Sequence, residues 1–281
     1  MRLAVTLGLF LVAGCSTSTS SVPAGNPPEL ARLIREGLQA EARGDGAGAR
    51  AAYEKATRDF PDHSAPWALL GEYHRFWGHD GDAARRQFSR AIRAPMPNSY
   101  WIAFALRGMG EVARAEKRIA KAIALFEESL EKLPIADAHR SLSALYANEL
   151  RDFEKAAIHA KAAIDLSPDD PIALLQYAVQ MVRFKKPREA EEAFSKAIRL
   201  AGCDERGRSS DLVHCCVLYN GACYHAVRGN KAAALAMLQE FFITPNHRHI
   251  TREEILRDPD FESLVKEDDF KALLEYRLPV E

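Results

Sequence analysis

Residues 119–168 read IAKAIALFEESLEKLPIADAHRSLSALYANELRDFEKAAIHAKAAIDLSP, and this stretch decides the fold. Apolar residues recur at steps of three and four, and no run alternates with period two. The pattern is therefore one of short amphipathic helices punctuated by Pro134 and Pro168. More telling is a fixed step of 34. Ala122, Ala156 and Ala190 keep it, as do Ser129, Ala163 and Ala197, and as do Gly110, Ala144 and Ala178. The residue types have a packing reason. Where two antiparallel helices cross, a side chain larger than Ala, Gly or Ser would push the backbones apart. The bulky Tyr53, Phe88, Phe126 and Phe194 then fill the space between successive units, and Pro61, Pro134 and Pro168 stop one helix before the next begins.

A 34-residue period with small crossing residues, a bulky residue four after the second alanine and a closing proline resembles the tetratricopeptide repeat (TPR). The resemblance implies an all-α fold, a right-handed α-α superhelix of about six helix-turn-helix units over residues 30–242, followed by a capping tail over 243–281. No unit buries its apolar face alone, so stacking is obligatory. The first unit runs from Leu30, with Gly37, Ala49, Tyr53 and Ala56 in phase. The second starts near Ser64, and its Ala84, Phe88 and Ala91 come one residue late, which places an inserted residue around His79 to Asp82. The third to fifth units span 103–136, 137–170 and 171–204. The sixth carries Leu218, Ala222, Gly229, Ala234 and Leu238, after a polar loop of ten extra residues around Gly202 to Asp211. Pro95, Pro97 and Asn98 lengthen one connection. The tail repeats a phrase, Asp258-Pro-Asp-Phe-Glu-Ser-Leu264 and Glu267-Asp-Asp-Phe-Lys-Ala-Leu273, similar to the acidic-aromatic endings of many bacterial TPR proteins. It implies that Phe261, Leu264, Phe270 and Leu273 cover the open end of the last unit.

At the other end, residues 1–14 carry Arg2 and an apolar run from Leu3 to Ala13, too short for a bilayer core of about 30 Å and consistent with a secretion signal. Leu11-Val12-Ala13-Gly14-Cys15 resembles a bacterial lipobox, which implies that Cys15 becomes the lipid-bearing first residue. Each buried methylene of its acyl chains would contribute about 0.8 kcal/mol of membrane affinity. Ser16 resembles the following residue of lipoproteins sent to an outer membrane, facing the periplasm. Residues 15–29 are mostly Ser, Thr, Val, Pro, Ala, Gly and Asn, a flexible tether reaching about 20 Å.

The composition is 47% hydrophobic, 27% charged and 9% aromatic with a formal net charge of -1, which supplies no basic field for nucleic acid. No phosphate-binding loop, dinucleotide fingerprint, nucleophile elbow, zinc-protease motif or paired CxxC occurs, so no enzyme and no cofactor is expected. Gly44 to Gly48 is read as a loop. Cys203, Cys215, Cys216 and Cys223 cluster with His214 and His225 near the sixth unit. Cys216 and Cys223 are two turns apart on one helix, about 10 Å, too far to share a tetrahedral ion unaided. These cysteines read as small core residues or as a disulfide from Cys203 to Cys215 or Cys216; the rival is a metal or small-ligand binder, or a hydrolase, built on Cys203, Cys215, Cys216, Cys223 and His225. His247, Arg248 and His249 read as a solvated loop.

The TPR resemblance places the second, fifth, ninth and twelfth positions of each first helix on a concave surface. That surface carries Ala68, Glu72 and Arg75, then Phe104, Arg107, Glu111 and Arg114, then Ser141, Leu145 and Asn148, then Leu175, Val179 and Val182, and finally Tyr219. Arg107, Arg114, Asn148, Leu175, Val182 and Tyr219 have the composition of interface anchors and are the expected partner contacts. The lysine-and-asparagine clamp with which some TPR proteins grip a terminal carboxylate is missing. The layout resembles TPR lipoproteins that escort pilus secretins or dock cell-wall hydrolases, implying a membrane-anchored adaptor for another envelope protein.

Overall fold

A computed structural model describes residues 26–202, 212–243 and 252–277, with side chains undescribed at 212–215, 276 and 277. The described residues are helical throughout, with one isolated bridge, His63 to Met96. The helices are α1 Pro28–Ala42, α2 Gly46–Asp59, α3 Ser64–Phe76, α4 Gly81–Ile92, α5 Ser99–Ala115, α6 Ile119–Lys132, α7 Ala136–Asn148, α8 Phe153–Leu166, α9 Pro171–Arg183, α10 Pro187–Leu200, α11 Leu212–Val227 and α12 Lys231–Ile243. The tail adds α13 Arg252–Arg257, a 3-10 turn Pro259–Phe261 and α14 Asp268–Arg277. No described helix is long and apolar enough to cross a membrane.

Local chemistry sets the helix starts. Asp45, Asp80 and Asp152 each accept the backbone N–H three residues on, from Gly48, Ala83 and Lys155 at 2.8, 2.8 and 3.0 Å, and so open α2, α4 and α8. Gly46 and Gly48 therefore belong to the first turn of α2 rather than to the loop expected over 44–48. The turn inside each hairpin passes through a left-handed residue: Gly44, His79, Lys117, Arg151, Lys185 and Gly229, with φ between 47° and 82°. Lys117, Arg151 and Lys185 keep the 34-residue step, so the backbone repeats even where glycine, the natural choice for positive φ, is absent.

The same turns locate the insertions. Seven residues separate Gly37 from Gly44 and Gly110 from Lys117, but eight separate Gly71 from His79. The extra residue of the second unit therefore lies between Gly71 and His79, ahead of the expected place. The lengthened connection before the third unit becomes an additional N-terminal turn on α5, which Asn98 caps by accepting the N–H of Tyr100 at 3.0 Å. Met96 N–H donates to Asp62 O at 2.7 Å and Asn98 N–H to Ser64 Oγ at 3.2 Å, tying that insert to the start of α3.

Crossings are as tight as the spacing implies. A Cβ at Gly37 would lie 2.2 Å from the Tyr53 ring, at Gly71 2.6 Å from Phe88, at Gly110 2.5 Å from Phe126 and at Gly221 2.7 Å from Met237. Phe88 is also faced by Gly108 of α5, where a Cβ would come within 2.3 Å, so one ring wedges two units together.

The chain divides into two compact bodies, one ending at Ser141 and the other beginning at Leu142. In the first, α1 pairs with α2, α3 with α4 and α5 with α6, while α3 also packs on α5. In the second, α9 packs on α8, α10 and α11, α11 pairs with α12, the 3-10 turn lies on α11, and α14 meets α12. Phe261, Leu264, Phe270 and Leu273 join Leu218, Leu238 and Phe241 in one buried cluster, so the tail closes the apolar end of the sixth unit.

Candidate partner-docking face

In the first body, α3, α5 and the start of α7 carry a row of buried charges. Arg75 makes a two-point ion pair with Glu72, Nη2 to Oε1 at 2.6 Å and Nε to Oε2 at 2.9 Å. Arg114 repeats it with Glu111 at 2.9 Å, and Ser141 donates to Glu111 Oε1 at 2.6 Å. Arg140 pairs with Asp137. The Glu-x-x-Arg spacing that puts acid and base on one helix face thus occurs in both α3 and α5.

Burial alone would raise both glutamates, but the guanidiniums overcome it. Arg107 and Arg75 hold Glu72 down at about 2, and Arg114 with Arg75 and Arg107 lowers Glu111. Glu41, at the end of α1, goes the other way: burial, then the charge of Glu72, pushes it up to about 8, so it is mostly neutral at pH 7. Glu72 and Glu111 are thus the two carboxylates held ionised among Arg75, Arg107 and Arg114.

Arg107 is the most loosely paired of the three. It is 0% exposed, its Cζ lies 4.6 Å over the Phe104 ring, and its nearest acid is Glu72 Oε1 at 3.5 Å. None of its three side-chain nitrogens finds a hydrogen-bond partner among the described residues. A buried cation in this condition is costly, and a carboxylate would offset that cost.

Of the six expected contacts, Arg107, Arg114, Leu175 and Tyr219 are buried, at 0, 2, 0 and 7% exposure, while Asn148 and Val182 are partly exposed. This corrects their placement on an open surface. The arginines are drawn in by ion pairs, and Leu175 belongs to the apolar cluster of the second body. Tyr219 is covered by the tail. Its hydroxyl donates to Asp258 Oδ2 at 2.7 Å, and its ring meets Phe241 and Phe261 edge-on at 5.7 and 5.5 Å.

Cys15, Cys203 and the His247–His249 triplet lie outside the described residues, as does the side chain of Cys215, so the expected bridge from Cys203 does too. Cys216 and Cys223 are buried. His225 sits edge-on to Phe194 at 5.0 Å and to Tyr224 at 5.2 Å, and burial, then Arg228, lowers its pKa. The structure brings Cys223 to Asp258 and Asp260, with donor atoms all within 4.8 Å of one another. Asp258 is engaged by Tyr219 and Asp260 by Arg183, so both carboxylates already hold protein donors. Sequence reasoning missed this cluster because its members come from two elements far apart in the chain, α11 and the 3-10 turn.

No family model and no curated protein matches the sequence. Solved structures do. A thermophilic TPR protein of Thermus thermophilus, TTC0263, is 19% identical and superposes over 73% of this chain and 98% of its own with a TM-score of 0.53. PilW, described as a widely conserved type IV pilus biogenesis factor, is 19% identical over 79% of this chain and 97% of its own, with a TM-score of 0.53. PilF of Pseudomonas aeruginosa is 16% identical over 79% and 94%, with a TM-score of 0.50. The fold of this chain is the all-α TPR fold.

Proposed function

We propose that this chain is a membrane-tethered docking protein of a bacterial envelope, on the periplasmic side of the outer membrane, lipidated at Cys15 and holding a protein segment on the first-helix faces of its repeats. In the first body the contacts are Arg107 and Arg114; in the second they are the partly exposed Asn148 and Val182, since Leu175 is enclosed by the apolar cluster and Tyr219 by the tail. The supporting observation is Arg107, a fully buried guanidinium over the Phe104 ring whose ion pair, to Glu72 at 3.5 Å, is the longest of the row. It suits a partner that brings a carboxylate, with the Phe104 ring as floor. The TPR fold hosts many partners, so the fold supports a binding role and the row of charges supports its chemistry.

The test is capture of the native partner from membranes by crosslinking, followed by affinity measurement. Arg107→Ala is expected to cost about 1–3 kcal/mol of binding, a loss of roughly five- to 150-fold. Full-strength binding by Arg107→Ala, with loss on charging the exposed Ile158 of α8, would place the partner on the second helices instead. Cys15→Ser is expected to release the protein from membranes; an unacylated variant that stays membrane-bound removes the anchor.

A further inference from the structure

The tail does more than cover apolar surface. Its 3-10 turn presents two carboxylates, of Asp258 and Asp260, to two different helices. Asp258 is 6% exposed and accepts the Tyr219 hydroxyl of α11 at 2.7 Å. Asp260 pairs with Arg183 of α9. Phe261 then packs its ring against Tyr219 and against Phe270 of α14, at 5.5 and 5.9 Å. The groups facing Asp258 are Tyr219 and Cys223 from α11, Arg183 from α9 and Asp260 from its own turn, and the other buried carboxyl of this stretch is Glu254 in α13. Asp258 also accepts the Asp260 N–H at 2.9 Å, and its carboxylate lies within 4.8 Å of that of Asp260, which alone holds the guanidinium of Arg183.

We propose that Asp258 makes the C-terminal tail an acid-favoured clasp over α9 and α11, closed when Asp258 is protonated and loosened when it ionises beside Asp260. A neutral carboxyl accepts the Tyr219 hydroxyl without a charge to desolvate. An ionised one stands within 4.8 Å of the Asp260 carboxylate without an ion pair of its own, since Arg183 is engaged by Asp260. Burial, then Asp260, raises Asp258 to about 7, against an ordinary carboxylate value of about 4 once the tail lifts away. The docked tail therefore binds the proton more tightly than the lifted one. Docking is strongest in mild acid and weakens as the pH climbs through about 7. Opening frees Tyr219 and Phe261. The clasp goes beyond the docking reading and stands or falls without it.

The experiment is amide hydrogen exchange on the full chain at pH 6 and pH 8, with protection factors corrected for intrinsic exchange. Residues 252–277 should lose protection about ten-fold between the two, the ratio that follows from values of about 4 open and about 7 closed, while α8 keeps its protection. Asp258→Asn should hold the tail equally at both pH values. Equal protection in the unaltered chain, or a pH-dependent loss that survives Asp258→Asn, overturns the clasp. Carboxyl-carbon NMR of Asp258 in the unaltered chain needs no variant: a midpoint near 7 supports it and one near 4 sinks it.

Discussion

Arg107 of α5, Leu175 of α9 and Tyr219 of α11 occupy the same register position in three repeats, yet they live by different physics. Around Arg107 the ninth and twelfth positions are Glu72, Arg75, Glu111 and Arg114, and the face is held by ion pairs out of water. Around Leu175 the corresponding residues are Val179 and Val182, which join an apolar cluster. Tyr219 is capped by a carboxylate from the tail. The repeat specifies where a side chain stands, whereas its neighbours decide whether that place is electrostatic or hydrophobic. The two bodies should therefore answer differently to pH and to truncation.

The largest difference is expected at Glu72. Glu72→Gln leaves Arg75 and Arg107 uncompensated in the interior, and urea unfolding at pH 7 should show a loss of about 3–5 kcal/mol. Because Glu72 is depressed when folded, its stabilisation is present above the ordinary carboxylate range and is lost as pH falls through about 2, so the variant and its parent should converge in acid. In the second body, Leu175→Ala should cost about 3 kcal/mol through lost burial and the cavity left behind, by the same amount at pH 7 and pH 4. A penalty at Leu175 that fades in acid would erase the contrast between the bodies.

The smallest expected effect tests the element that the bodies share. Lys117, Arg151 and Lys185 hold the left-handed turn at φ 60°, 53° and 57°. Lys117→Gly trades backbone strain against unfolded-state entropy and should shift thermal unfolding by less than about 1 kcal/mol. Lys117→Val should lose about 1 kcal/mol or more, since a β-branched side chain tolerates this conformation poorly.

What was legible in the sequence was what the 34-residue step controls. The small Gly37, Gly71 and Gly110 and the bulky Tyr53, Phe88 and Phe126 stand out by their spacing, and the one-residue delay at Phe88 shows as a broken phase, but the rings expected between units each lie on the glycine of their own hairpin, with Phe88 alone also meeting Gly108 of the next. The left-handed turns were hidden, since lysine and arginine stand where glycine would have announced them. Contacts across long separations were hidden as well. Tyr219 meets Asp258 39 residues on and Arg183 meets Asp260 77 residues on, and no local pattern encodes where a tail will land. For that reason Tyr219 was placed on a surface that the tail in fact covers, and the buried state of Arg107 became visible only once Glu72 was seen beside it.

The most direct test of docking on the first helices uses a photo-reactive amino acid in the full chain, placed either at Asn148, partly exposed on α7, or at Ile158, 65% exposed on α8. After illumination in native membranes, a discrete covalent adduct to one envelope protein is expected from position 148 and none from position 158. An adduct to that protein from position 158 alone would contradict docking on the first helices.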